Sequence, residues 1–160
     1  MEATMKTIVI GLLVAIVDDE DYAAVVDHAW RCVRPCNVAY AMTNLSRAEG
    51  HSTLYMHQLV LRRMGLIGSV DHVNGNGLDN RRTNLRTATA VQNAANVGAR
   101  PGVSGFKGVS RCSKTNRSRA YIRTNGRQIH LGLFASEREA AAAYDNAARS
   151  MWGEYARTNL

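Results

Sequence analysis

Residues 70–86 read VDHVNGNGLDNRRTNLR, a run in which asparagine, glycine and arginine almost exclude apolar side chains. Asn74 to Asp79 has the composition of a turn, because Asn and Gly tolerate positive φ and Asn can hydrogen-bond its own backbone. A turn does not account for Asp71 standing next to His72, although such a pair is also a common surface hydrogen bond. A calcium loop needs oxygen ligands at positions 1, 3 and 5, Gly at 6 and Glu at 12. With Asn74, Asn76 and Gly77 at positions 3, 5 and 6, His72 falls at position 1 and Thr83 at position 12, so that reading fails. Tetrahedral zinc wants more soft ligands than one His among amides. A hard divalent ion held by few protein oxygens and completed by phosphate and water suits the run better. Asp71 could be one ligand, and an imidazole titrating near neutrality could take a proton from an attacking water. Together these two roles hydrolyse a phosphodiester.

The run is preceded by LYMHQLVLRRMG, where Leu54, Leu59, Leu61 and Met64 can form the apolar side of a helix stopped by Gly65. A second helix is expected over residues 89–96. In that setting Asp71-His72, Asn84 twelve residues after the His, and Asn93 twenty-one after it resemble the HNH endonucleases. The likeness is to the phage and intron-encoded homing type with a ββα-metal site, in the variant whose last motif letter is Asn. Asp79-Asn80-Arg81 and Asn84-Leu85-Arg86 are likewise typical of that family's loop. The resemblance implies that His72 is the general base and that Asp71 and Asn93 ligate a divalent metal, magnesium or else manganese. It also implies that Asn84 holds the loop and the His backbone. Asn96, three residues from Asn93 on the same helical side, is the second candidate ligand. His57 points toward the site from the preceding helix, where core packing or a phosphate contact suits it better than catalysis. His28 and His51 carry no signal.

The chain has 160 residues, an apolar fraction of 46% and a formal charge of +7. That is enough for one ordinary domain or two small modules with a core. Residues 1–50 carry 4 Lys/Arg against 7 Asp/Glu, residues 51–100 carry 6 against 2, and residues 101–160 carry 10 against 4. Arg100 to Ser136 contains eight basic residues and no acidic one, a single-sign field that draws a polyanion. Three cysteines, Cys32, Cys36 and Cys112, do not make the even framework of a small secreted protein. Cys32 and Cys36 could begin a zinc site, but no second pair follows at finger spacing. A reducing cytoplasm is expected, that of a bacterial host if the phage resemblance holds. IVIGLLVAIV, residues 8–17, is too short to cross a bilayer and reads as one buried strand, followed by a short helix through DDEDYAAVVDHAW. CNVAYAMTNL, residues 36–45, reads as a strand, and residues 47–52 as a polar turn. IVDDEDY, with a Trp eight residues on, and YMHQLVLRRMG resemble the amino-terminal part of the same phage proteins.

VGARPGV, residues 97–103, interrupts all periodicity. Three strand candidates follow, GFKGVSR from Gly105, RAYIRT from Arg119 and RQIHLGLF from Arg127, the last two joined by Asn125-Gly126, a strong hairpin signal. Ser136 and Glu139 then open a helix closing at Gly153, with Tyr144, Ala147, Ala148 and Met151 on one side. SGFKGVSR, AYIR, HLGLFASEREAAAAYDNAARSMWG and ARTNL resemble the AP2 DNA-binding domain across residues 104–160, in which the sheet enters the major groove and the helix supports it. One sheet face could gather Lys107, Arg119, Arg123 and Arg127, joined by Arg111, Arg117, Tyr121 and His130, as DNA contacts. Ser110 and Cys112 stand where plant-type domains carry Arg, and His130 where they commonly carry Trp, so the target sequence does not transfer.

The expected architecture is α+β. An amino-terminal α/β portion leads into a ββα-metal motif (residues 1–98, catalytic core about 66–98). A linker at 99–103 joins it to an AP2-like three-stranded antiparallel sheet packed on one helix (104–160). The expected activity is metal-dependent hydrolysis of double-stranded DNA, nicking one strand, by a monomer with no membrane or small-molecule partner. A DNA-binding regulator that keeps the fold without turnover is the rival, and RNA binding through the basic sheet is a second.

Overall fold

The computed structural model describes residues 4–35, 38–46, 52–99 and 104–160. Cys36, residues 47–51 of the turn expected at 47–52 (His51 among them) and residues 100–103 of the linker lie outside them. The chain is mixed α+β with small antiparallel sheets, and it divides into two compact units, Met1–Ala88 and Thr89–Leu160.

In the first unit, β1 (Met5–Ile10) and β2 (Leu13–Asp18) form an antiparallel hairpin. The apolar run read as one strand is therefore two. Gly11, at φ +63°, supplies the left-handed turn conformation, and Leu12 beside it is fully exposed. The continuous hydrophobicity hid the reversal because one hairpin face, Ile8, Ile10, Ala15 and Val17, is core while Val9 and Val14 opposite are exposed. Helix α1 (Asp19–Val25) follows, and then β3 (Arg31–Val33), β4 (Tyr40–Asn44) and β5 (Thr53–Tyr55) pair antiparallel with β4 central.

Helix α2 (Met56–Arg63) buries Met56, Val60 and Leu61. The expected stripe is thus rotated: Leu54 belongs to β5, and Leu59 and Met64 pack only partly against the core. Gly65, at φ +73°, ends the helix, with Gly65 N–H donating to Arg62 O at 3.0 Å and Leu66 N–H to Leu61 O at 3.1 Å. This is the paired bonding of a Schellman stop. Strands β6 (Val70–His72) and β7 (Leu85–Thr87) pair antiparallel and close the polar loop between them.

Asp21, fully buried, ties α1 and α2 to that loop. It accepts from Arg82 Nε and Arg63 Nε, each at 2.7 Å. Burial works to raise its pKa, but the hydrogen bonds from Arg82 and Arg63 outweigh that and hold it below the usual carboxylate range.

The second unit begins with α3 (Ala90–Asn96), opened by a reciprocal cap between Thr89 and Gln92. Strands β8 (Val109–Cys112), β9 (Arg117–Thr124) and β10 (Arg127–Phe134) form an antiparallel sheet with β9 central. Asn125 and Gly126, at φ +49° and +75°, make the two-residue turn, as the Asn-Gly pair requires. Helix α4 (Glu137–Trp152) buries Ala140, Ala141, Tyr144 and Ala148, while Met151, expected on that side, is exposed. Buried Asp145 anchors the chain end, accepting from the backbone N–H of Asn159 at 2.8 Å and of Leu160 at 2.9 Å.

Candidate active site and nucleic-acid interface

The loop from Val73 to Asn84 is held by its own amides. Asn84 Nδ2 donates to Asp79 O at 2.7 Å, and Asn84 Oδ1 accepts from Asn74 N–H at 2.9 Å. Val73 N–H donates to Asn84 O at 2.9 Å, so Asn84 is stapled to the residue following His72. Asp79 accepts from Arg81 Nη2 at 2.7 Å and from Asn74 Nδ2 at 2.8 Å, and the Arg81 hydrogen bond keeps its carboxyl acidic. Every one of these groups is local in sequence, which is why polar side chains such as Asp79 and Asn84 can be buried here: the loop's polar atoms meet one another.

Gly77 lets the loop approach β4. A Cβ there would lie 2.5 Å from both Ala39 O and the Tyr40 ring. Because the nearest oxygen belongs to the backbone, Gly77→Ala is expected to destabilise the first unit by about 2 kcal/mol or more. Urea denaturation reads this directly, and an unchanged midpoint would contradict the packing described.

His72 ends β6 opposite Leu85, and Asp71 pairs with Arg86 across the two strands. Both side chains are buried. Asp71 Oδ2 accepts from Arg86 Nε at 2.9 Å and from Nη2 at 2.8 Å. His72 Nε2 lies 3.5 Å from Asn80 Oδ1, and Asn80 is itself fully buried. Around the His72 ring stand His57 at 5.1 Å, edge to face, and Tyr40 at 5.7 Å between centroids. Burial lowers the pKa of His72, partly offset by Asn80, Asp71 and Asp79. Burial, with His72 adding, pushes His57 down to about 3.

Both imidazoles are thus neutral at pH 7. In the unfolded chain a histidine titrates near 6.5, so below that pH the unfolded state binds more protons than the folded one. Stability from these groups is complete above about pH 6.5 and is lost as pH falls toward their folded values. For His57 the loss by pH 5 is about 2 kcal/mol, a window in which ordinary carboxylates hardly titrate. Urea midpoints at pH 7, 6 and 5 should fall for the wild type and fall less for His57→Phe; equal slopes would contradict the assignment.

Asp71, His72 and Asn84 therefore come together in the first unit. Asn93 lies partly exposed on α3 of the second unit, and Asn96 on the same helix is buried. Among the described residues no three His, Cys, Asp or Glu side chains cluster as a metal cage. The sequence names Asn80 only within the loop's Asp79-Asn80-Arg81 pattern and turns His57 toward the site without pairing it with His72; Tyr40, in a strand 32 residues before His72, has no local signal.

On the carboxy-terminal sheet, Arg117, Arg119, Tyr121 and Arg123 alternate along β9 with buried Ser118, Ala120 and Ile122, which face α4. His130 pairs with Tyr121 and Gln128 with Arg123, placing both on the same outer face. Arg127 pairs with Thr124 and Arg111 with Ser118, so these two arginines have the opposite parity and do not join that face. Lys107 is also engaged elsewhere: its Nζ donates to Ala95 O and lies 5.9 Å from the Tyr144 ring centroid and 6.0 Å from that of Trp152. Burial, with Arg157 adding, holds its pKa at about 8. A cleft of about 1050 Å³ lies in this unit, with Val91, Ala94, Arg111, Tyr121 and Arg123 on its walls.

A protein of Acanthamoeba polyphaga mimivirus, named as the uncharacterized HNH endonuclease L560, is 34% identical over 90 residues, 56% of this chain. The match supports an HNH nuclease relationship. The aligned stretch covers 46% of that relative, so the chain spans just under half its length. No protein-family profile matches the chain, and no solved structure does. No helix among the described residues is long and apolar enough to cross a membrane.

Proposed function

We propose that the protein is a metal-dependent DNA endonuclease of the HNH homing type that nicks duplex DNA. The observation that carries this reading is a buried, neutral imidazole, His72, beside a buried carboxylate, Asp71, on a strand pair closed by a self-bonded loop. With Asn80 Oδ1 accepting from Nε2–H, the lone pair of His72 is on Nδ1. That nitrogen takes the proton of the attacking water, an O–P bond forms, and the bond from phosphorus to a sugar oxygen breaks. Asn84 keeps the backbone after His72 in place. Asp71 and Asn93 are hard oxygen donors, few in number, and so suit an ion of the magnesium type that keeps water and phosphate in its shell. When bound, that ion supplies charge stabilisation at the phosphate and the leaving oxygen.

The catalytic core in this proposal covers residues 66–98, and residues 104–160 form an AP2-like module that raises the local concentration of the enzyme on DNA. Arg117, Arg119, Tyr121, Arg123 and His130 are its contact face, since they share one exposed side of the sheet. The test is incubation of supercoiled plasmid with the protein and Mg²⁺ or Mn²⁺. Nicked circles that vanish on chelation are expected; equal nicking in excess chelator would remove the metal from the proposal.

A further inference from the structure

Three rings pack into a wall against the general-base candidate. Tyr55 and His57 stack at 5.2 Å with an interplanar angle of 18°. Tyr40 meets His57 edge to face at 5.4 Å and Tyr55 at 6.3 Å. His72 then stands with its ring at 89° to His57 and 55° to Tyr40. The residues come from three separate elements, β4, β5 and the first turn of α2, so the wall is fixed by the fold rather than by the loop that carries the chemistry.

His57 has a second peculiarity. Its Nδ1 is buried and meets no hydrogen-bond partner among the described residues. A buried polar atom left unpaired lowers stability, and an apolar ring of similar shape would avoid that loss. What the His57 side chain offers its neighbours is therefore ring surface, which it presents to Tyr40, Tyr55 and His72.

We infer that His57 is a positioning residue for His72. Its ring, braced by Tyr40 and Tyr55, closes one side of the His72 imidazole, while Asn80 Oδ1 meets Nε2 from another. Two such restraints fix the plane of the ring and select the Nδ1 lone pair as the proton acceptor. Removing the wall leaves His72 able to rotate out of line with the attacking water, and a misplacement of about 1 Å can lower a rate about a hundredfold. Because the restraint is made by ring surface, not by either nitrogen of His57, a phenyl ring should reproduce it. This inference rests on His72 acting as the base, and its test includes a measurement that does not need turnover.

The variants are His57→Ala and His57→Phe in the full chain. In single-turnover plasmid nicking, His57→Ala should lower the rate about 10- to 100-fold, with half-saturating DNA concentration changed less than about twofold, as expected for a group that does not bind substrate. His57→Phe should return the rate to within about threefold of wild type and melt above it, since the unpaired Nδ1 is gone. The turnover-free readout is the pattern of long-range nitrogen–proton couplings of the His72 ring by NMR. Wild type and His57→Phe should show one tautomer with Nε2 protonated, and His57→Ala a mixture.

If His57→Phe is as slow as His57→Ala while both keep the wild-type tautomer, a nitrogen of His57 acts directly and the positioning role is overturned. An unchanged rate and tautomer in His57→Ala overturn it as well. Should wild type nick nothing, the endonuclease reading fails, and the tautomer pattern alone still decides whether His57 positions His72.

Discussion

His72→Ala is expected to lower plasmid nicking by about 10²–10⁴-fold, the range by which a positioned base accelerates a reaction. The expectation follows from burial as much as from identity. His72 is 6% exposed, is neutral at pH 7, and is set at the end of a strand whose register places it against Leu85. Alanine keeps that backbone pairing, and the Asn84 contacts that hold the loop run to Asn74, Asp79 and Val73 rather than to the imidazole. The variant should therefore fold and bind DNA with little change. A loss of activity accompanied by equal loss of DNA binding would point to a collapsed loop instead of a missing base.

Simultaneous replacement of Arg117, Arg119 and Arg123 by alanine is the second large effect. The three side chains share one exposed face of β9 and alternate with the residues that pack on α4, so their removal spares the core. If each neutralises one phosphate, the slope of log K against log salt should flatten by about 3, and affinity at low salt should fall by at least about tenfold. Arg127→Ala is the internal control, since its register puts it on the opposite side of β10 and it should change the slope little. A triple variant with the wild-type slope would remove this face as the docking surface.

How far these features could be read from the sequence varied with how local their physics is. Asn125-Gly126, the Ser136 cap and the Gly65 stop were legible because each is decided within a few residues. The hairpin inside IVIGLLVAIV was not, since a run apolar on both faces conceals which residues turn, and only Gly11 marked it. Helix α2 is legible, and Leu61 on its inward side with it, but Met56 and Val60 are not, because they are chosen by packing against strands far away in sequence. For the basic residues, composition announced the charge but not the parity. The register of β9 against β8 and β10 separates Arg119 and Arg123 from Arg111 and Arg127, and that register becomes visible only once the strands are paired. The ring wall of Tyr40, Tyr55 and His57 shows the same limit: each residue is unremarkable alone, and only the fold brings them to His72.

In the proposed function, His72 makes this chain an enzyme and not merely a DNA-binding protein. Wild type and His72→Ala should be compared side by side on supercoiled plasmid with Mg²⁺ at pH 7.5, each also tested for gel retardation of the same DNA. The predicted result is conversion to nicked circles by the wild type alone, with both proteins retarding DNA equally. Retardation by both with nicking by neither, or equal nicking by both, would contradict it.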